Sequence, residues 1–178
     1  ANRFDSTPYD DGTGIKKRTM NTSGIPVSRW IDGVLEDKNL IAQNDNLRAM
    51  IFWGHAPNSQ TRNPEMKEAM EKLDLLVVID PYPTVAAVLH NRSENTYLLP
   101  ACTQFETYGS VTSSNRSIQW RDQIIDPLFE SKPDHEILYR FAKKFNFSEQ
   151  MFKHITVTDN QPLIEDVTRE FKKGTWTI

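Results

Sequence analysis

Apolar and polar positions along this chain change their spacing several times, and each change marks an element. Residues 48–53 form a short apolar run closed by Gly54, which suits a strand buried on both faces better than a helix of that length. A polar loop follows over 55–61. Asn63, Pro64 and Glu65 then read as N-cap, first helical residue and first-turn acid. The helix they open carries Met66, Ala69, Met70 and Leu73 on one face. Residues 75–79 are apolar without alternation, the pattern of a central parallel strand covered on both sides. That strand ends at Asp80. Pro81 and Pro83 fix a turn, Thr84 can cap a short helix over 85–89, and residues 96–99 predict a third strand stopped by Pro100.

The flanking regions are less regular. Residues 1–28 show no sustained period and predict a surface loop, whereas Trp30, Ile31, Val34 and Leu35 recur at helical spacing. Residues 101–120 predict a polar loop rich in hydroxyls and amides. Lys132, Pro133 and Asp134 then open a helix with Ile137, Leu138, Phe141, Ala142 and Phe145 as its buried stripe. A last helix begins near Pro162, with Leu163, Ile164, Val167 and Phe171 inward and Gly174 as its stop. This alternation predicts an α/β fold: a Rossmann-like three-layer domain with a mostly parallel sheet over 47–147. An irregular extension with a short helix precedes it over 1–46, and a helical segment follows over 148–178.

Composition narrows the chemistry. The net charge of -3 and pI near 5.8 leave no basic field for a nucleic-acid partner, and Lys16, Lys17 and Arg18 sit close to Asp10 and Asp11. The single Cys102 excludes a disulfide framework within the chain. His55, His90, His135 and His154 lack metal-ligand spacing, so no metal site is expected. There is no phosphate-binding Gly-Lys-Ser/Thr motif, no G-x-G-x-x-G and no nucleophile elbow. No apolar run approaches the roughly 20 residues of a membrane span, so no membrane insertion is expected. The absence of an initiator Met and the β-type residues after Gly174 raise the expectation of a segment cut from a longer chain.

Asp80 is the sharpest position. A carboxylate at the C-terminal tip of a parallel strand can accept donors from a ribose diol or a guanine edge, or it can cap the turn at Pro81. Gly54 allows a close backbone approach to a phosphate, or simply turns the chain. Cys102 reads as a packed thiol, and nothing ties Glu106 or Asp134 to a reacting atom. The residues alone support binding rather than catalysis.

Three stretches carry a resemblance. Residues 75–85 (LLVVIDPYPTV), 98–101 (LLPA) and 105–121 (FETYGSVTSSNRSIQWR) resemble the third domain of molybdopterin oxidoreductases of the dimethyl sulfoxide reductase family. Within that family, residues 54–60 and 174–178 look like the large subunit of formate dehydrogenases. The resemblance implies a grip on one of two pyranopterin guanine dinucleotides holding molybdenum or tungsten. It places Asp80 and the backbone of Ile79 at the nucleoside end, with Thr84 in the following turn. Thr107 and Asp134 fall at further cofactor contacts, and Gly54, His55 and Asn58 along the diphosphate.

The resemblance also implies a parent enzyme oxidising formate, with an iron–sulfur cluster in an N-terminal part outside this sequence. The partners it implies are the rest of the same subunit and an iron–sulfur electron-transfer subunit. The chain alone is expected to be inactive. No residue here determines a compartment, and the resemblance leans to the periplasm. Two departures stand out: relatives commonly carry Gly-x-Asn-Pro where this chain has Gly54-His55-Ala56-Pro57, and Thr107 replaces a Lys found in many of them. Another family member such as a nitrate reductase, a non-catalytic nucleotide-binding or subunit-interaction domain, and a purely structural piece are the rival expectations.

Overall fold

The strand β4 (Leu75–Asp80) is the middle of a three-stranded parallel sheet of order β3-β4-β5, with β3 spanning Ala49–Trp53 and β5 spanning Thr96–Pro100. A computed structural model describes residues 8–10, 16–18, 25, 27–38, 45–55 and 62–175. The α/β expectation holds. Leu76, Val77, Val78 and Ile79 of β4 are all buried, as an unalternating central strand requires. β3 departs from the expectation of burial on both faces: only Phe52 is buried, and Ile51 is exposed. It lies at one end of the sheet order, and among the described residues β4 is its single neighbour.

By contacts the chain divides into a first unit, residues 1–78 with 83–97, and a second, residues 79–82 with 98–178. In the first, α1 (Trp30–Leu35) packs on α2 (Asn63–Lys72). Trp30, Ile31, Phe52, Met66, Met70 and Leu76 build the core, and the Trp30 and Phe52 rings meet edge to face at 5.5 Å. Buried Asp32 ties the two helices together, accepting Arg29 at 2.8 Å and Arg62 at 2.5 Å. These two guanidinium donors hold its carboxyl below the usual carboxylate range. The N-cap of α2 is Arg62, in the left-handed region at φ 74°, and Asn63 is already helical. The expected cap is therefore displaced by one residue. The far end of α2 is closed by Arg92, whose guanidinium donates to the carbonyls of Met70 and Leu73.

The short helix α3 (Val85–Val88) is capped in position by Thr84, but without a side-chain hydrogen bond. Within the expected N-terminal loop lie an antiparallel pair, β1 (Pro8–Asp10) and β2 (Lys16–Arg18), and a 3-10 turn over Val27–Arg29. Short-range backbone pairing does not need a long apolar period.

In the second unit the expected polar loop contains an antiparallel hairpin, β6 (Gly109–Thr112) with β7 (Ile118–Arg121). The side chain of Asn115 accepts the Ser117 N–H at 3.1 Å, and Arg116 sits at φ 66°, so the polar residues between the strands are turn chemistry. The helix α4 (Asp134–Lys144) buries Glu136, Ile137 and Ala142, whereas Phe145, expected inside, is 65% exposed and stacks on Phe141. It lies just past the helix, where the chain departs from the helical period. Beyond it come α5 (Ser148–Met151), the pair β8 (Val157–Thr158) and β9 (Gln161–Pro162), and α6 (Ile164–Thr175). Gly174 falls inside α6 rather than stopping it, and Leu163, expected inward, is 40% exposed. Among the described residues no helix is long and apolar enough to cross a membrane.

Candidate functional site

Among the clefts of the second unit, two share part of their walls. The larger, of about 450 Å³, is bordered by Thr107, Tyr108, Gln123, Lys132, Glu136 and Gln161 among others. The smaller, of about 400 Å³, is bordered by Thr103, Gln104, Arg121 and Asp134 among others. Thr107, Tyr108 and His135 border both. Each cleft falls in the size range of small-molecule sites.

The walls are shaped by Glu106, a buried carboxylate that organises the loop after β5. Its Oε2 accepts the Thr103 N–H at 2.7 Å; its Oε1 accepts the Leu128 N–H at 2.6 Å and the Ser131 hydroxyl at 3.2 Å. These donors, the backbone N–H of Leu128 first, pull its pKa down to about 2. Glu106 therefore serves as a fixed anion clamping the loop, and its role is structural rather than acid–base. Behind it, the Cys102 thiol lies 3.7 Å from the Ser131 hydroxyl, and burial pushes its pKa up, so it packs as an inert thiol. Burial also pushes the His135 imidazole below its usual value, which favours the neutral ring on the shared wall.

Of the residues singled out from sequence, Thr107 and Asp134 come together on the smaller cleft, Asp134 at the first position of α4. Asp80, in the same unit, borders neither cleft. Its side chain accepts the Tyr82 N–H at 3.3 Å, which is the turn-capping arrangement, and its carbonyl accepts the Ala101 N–H at 3.3 Å. Ile79 is fully buried.

In the first unit, Gly54 adopts φ +56° with nothing within 4 Å of a built Cβ, so its conformation is the reason for glycine there. His55 stacks on Phe52 at 6.3 Å. The Thr84 hydroxyl is buried without a hydrogen-bond partner among the described residues. Asn58 lies outside the described residues.

Sequence reasoning missed Glu136 and Gln161, weighed His135 only as a metal ligand, and placed Tyr108 within the polar loop. Glu136 and Arg140 stand four residues apart on a helix, which in sequence reads as a surface ion pair. The structure instead buries Glu136 to 1% exposure beside the larger cleft.

Hydroxyls and amides bordering neighbouring clefts in an α/β chain define a domain suited to holding an organic ligand. Comparison gives the family. The chain belongs to the molybdopterin oxidoreductases, whose family model matches residues 7–144. It is 34% identical over 148 residues to a trimethylamine-N-oxide reductase of Vibrio vulnificus strain YJ016, covering 76% of this chain and 17% of the relative. It is 35% identical over 163 residues to the enzyme of that name from Vibrio cholerae, covering 84% and 18%. Trimethylamine-N-oxide reductase 1 of Escherichia coli K12 is 31% identical over 140 residues, covering 72% and 16%. The chain thus spans less than a fifth of the length of these relatives.

Membership implies a molybdopterin cofactor with molybdenum. The residues present fit such a group: hydroxyls and amides line the clefts, and one carboxylate oxygen of Glu136 is buried without a donor among the described residues. Among the described residues no cluster of three or more His, Cys, Asp or Glu is placed to bind a metal ion directly. The relatives carry the name of N-oxide reductases, which gives the expected formate dehydrogenase identity, and tungsten, no support.

Proposed function

We propose that this chain holds part of a pyranopterin guanine dinucleotide within a larger molybdenum reductase acting on an amine N-oxide. The observation that carries the cofactor role is the meeting of Thr107 and Asp134 on one cleft of the second unit. The substrate class rests on the relatives, similar over 72–84% of this chain and named for trimethylamine N-oxide. The formate reading leans instead on two short segments, 54–60 and 174–178.

In the proposed reaction the oxygen of the N-oxide leaves as water while the amine gains an electron pair, with protons supplied from solvent. Molybdopterin with molybdenum, when bound, would supply the two-electron redox chemistry. The chain's own residues bind and orient. Thr107 offers a hydroxyl and Asp134 an acceptor to the cofactor's polar edges, and Glu106 keeps the loop in place. Asp80, Ile79, Thr84, Gly54, His55 and Asn58 stand as contacts proposed from the resemblance. The rest of the polypeptide and an electron-donating partner complete the enzyme, and an iron–sulfur cluster elsewhere in it is part of the same proposal.

The full-length protein, given a reduced viologen dye, is expected to reduce trimethylamine N-oxide and to leave formate unoxidised with the oxidised dye. Formate-dependent dye reduction without N-oxide turnover would reverse the substrate assignment.

A further inference from the structure

Exposed apolar side chains of the second unit collect on one loop. Every residue of 121–130 is exposed, among them Ile124, Ile125, Leu128 and a fully exposed Phe129. Phe105, also exposed, is tied to the same loop through its carbonyl. Single exposed apolar side chains are ordinary on a soluble protein, but a contiguous group of them marks an interaction surface.

The loop is held in shape. The N–H groups of Ile124 and Ile125 donate to the Phe105 carbonyl at 2.9 and 3.1 Å, and the Ser131 N–H donates to the Leu128 carbonyl at 3.1 Å. The Leu128 N–H donates to buried Glu106 Oε1 at 2.6 Å. Phe129 stands at the head of the turn these bonds close, at φ 54°. A bulky aromatic is strained in that left-handed region, where Gly or Asn sits more easily. A rigid turn that keeps Phe there, wholly in solvent, presents it as an anchor for a pocket on a partner surface.

Charge describes that pocket. Residues 122–130 contain Asp122, Asp126 and Glu130 and no Lys or Arg, and none of these carboxylates has an ion-pair partner among the described residues. The complementary surface is an apolar pocket rimmed by Lys and Arg. Its nearest source is the same polypeptide: this chain spans less than a fifth of the length of its relatives, and a covalently attached domain meets the loop at high effective concentration.

We propose that residues 122–130 form an interdomain docking loop, with Phe129 seated in an apolar, Lys/Arg-rimmed pocket supplied by the part of the same polypeptide outside residues 1–178. The proposal draws on the length of the relatives and is independent of the cofactor reading.

The test uses the full-length protein. Hydroxyl-radical labelling read by mass spectrometry is expected to find Leu128 and Phe129 about tenfold protected relative to the urea-unfolded protein, with the protection unchanged on dilution. Phe129→Asn relieves the backbone strain, so at an uncovered turn it would leave the thermal midpoint unchanged or raise it. At a docked anchor it is expected to lower the midpoint by at least about 2 °C. Asp126→Lys combined with Glu130→Lys is expected to lower it too, by setting like charges against the rim of the pocket. Labelling of Phe129 at the unfolded rate, or a midpoint unchanged or raised in Phe129→Asn, would overturn the proposal. Protection that disappears on dilution would assign the surface to a second copy, and protection seen only with an added partner chain would assign it to that chain; either result overturns the proposal as well.

Discussion

At Glu106 a charge is held by its donors, and this makes the residue a pH-dependent clamp. Its folded pKa is near 2, against about 4.3 for an unperturbed glutamate. The unfolded chain therefore takes up the proton first. The stabilisation is complete above about pH 4.5 and is lost as pH falls toward 2. Thermal melts are expected to show the midpoint falling across that window. Glu106→Gln keeps the shape but mismatches the donors of Thr103, Leu128 and Ser131; it should cost about 1–3 kcal/mol at neutral pH and flatten the acid slope. The sequence places Glu106 in a polar loop, but Leu128 and Ser131 lie 22 and 25 residues away. No local pattern announces partners at that distance.

Elements were legible where their signal is local. The unalternating run in β4 predicted a central strand, and the apolar face of α2 predicted Met66, Ala69 and Met70 inside. The β6–β7 hairpin gives no such signal, because its strands are short and half or wholly exposed, and its turn residues look like an ordinary loop. One glycine joins that hairpin to α6. Gly109 sits at φ +142°, and a Cβ there would lie 2.9 Å from Ile164 Cγ1. Ser110 and Thr168 share a hydroxyl hydrogen bond at 3.1 Å across the same contact. Gly109→Ala is expected to destabilise the protein by about 1–3 kcal/mol, read by chemical denaturation. Hydrogen exchange of the α6 amides should accelerate along with it.

For the whole molecule the informative quantity is cofactor content. If the clefts of the second unit hold the pterin nucleotide, Thr107→Val and Asp134→Asn should each lower bound molybdenum and pterin fluorescence about threefold in the full-length protein. Lys153→Gln, which borders neither cleft, should leave both unchanged. Family membership and the α/β order of elements were determined by the sequence itself, because apolar spacing and short motifs such as IDPYPT act over a few residues. The same motifs serve different substrates across relatives, so they left formate and N-oxide chemistry undivided. Tertiary structure alone decided that Asp80 caps its own turn, that Glu106 has donors on both oxygens and that one Glu136 oxygen is buried without a partner among the described residues. Whether a polar atom is satisfied depends on which distant donors folding brings within about 3 Å of it, and spacing along a chain does not contain that distance.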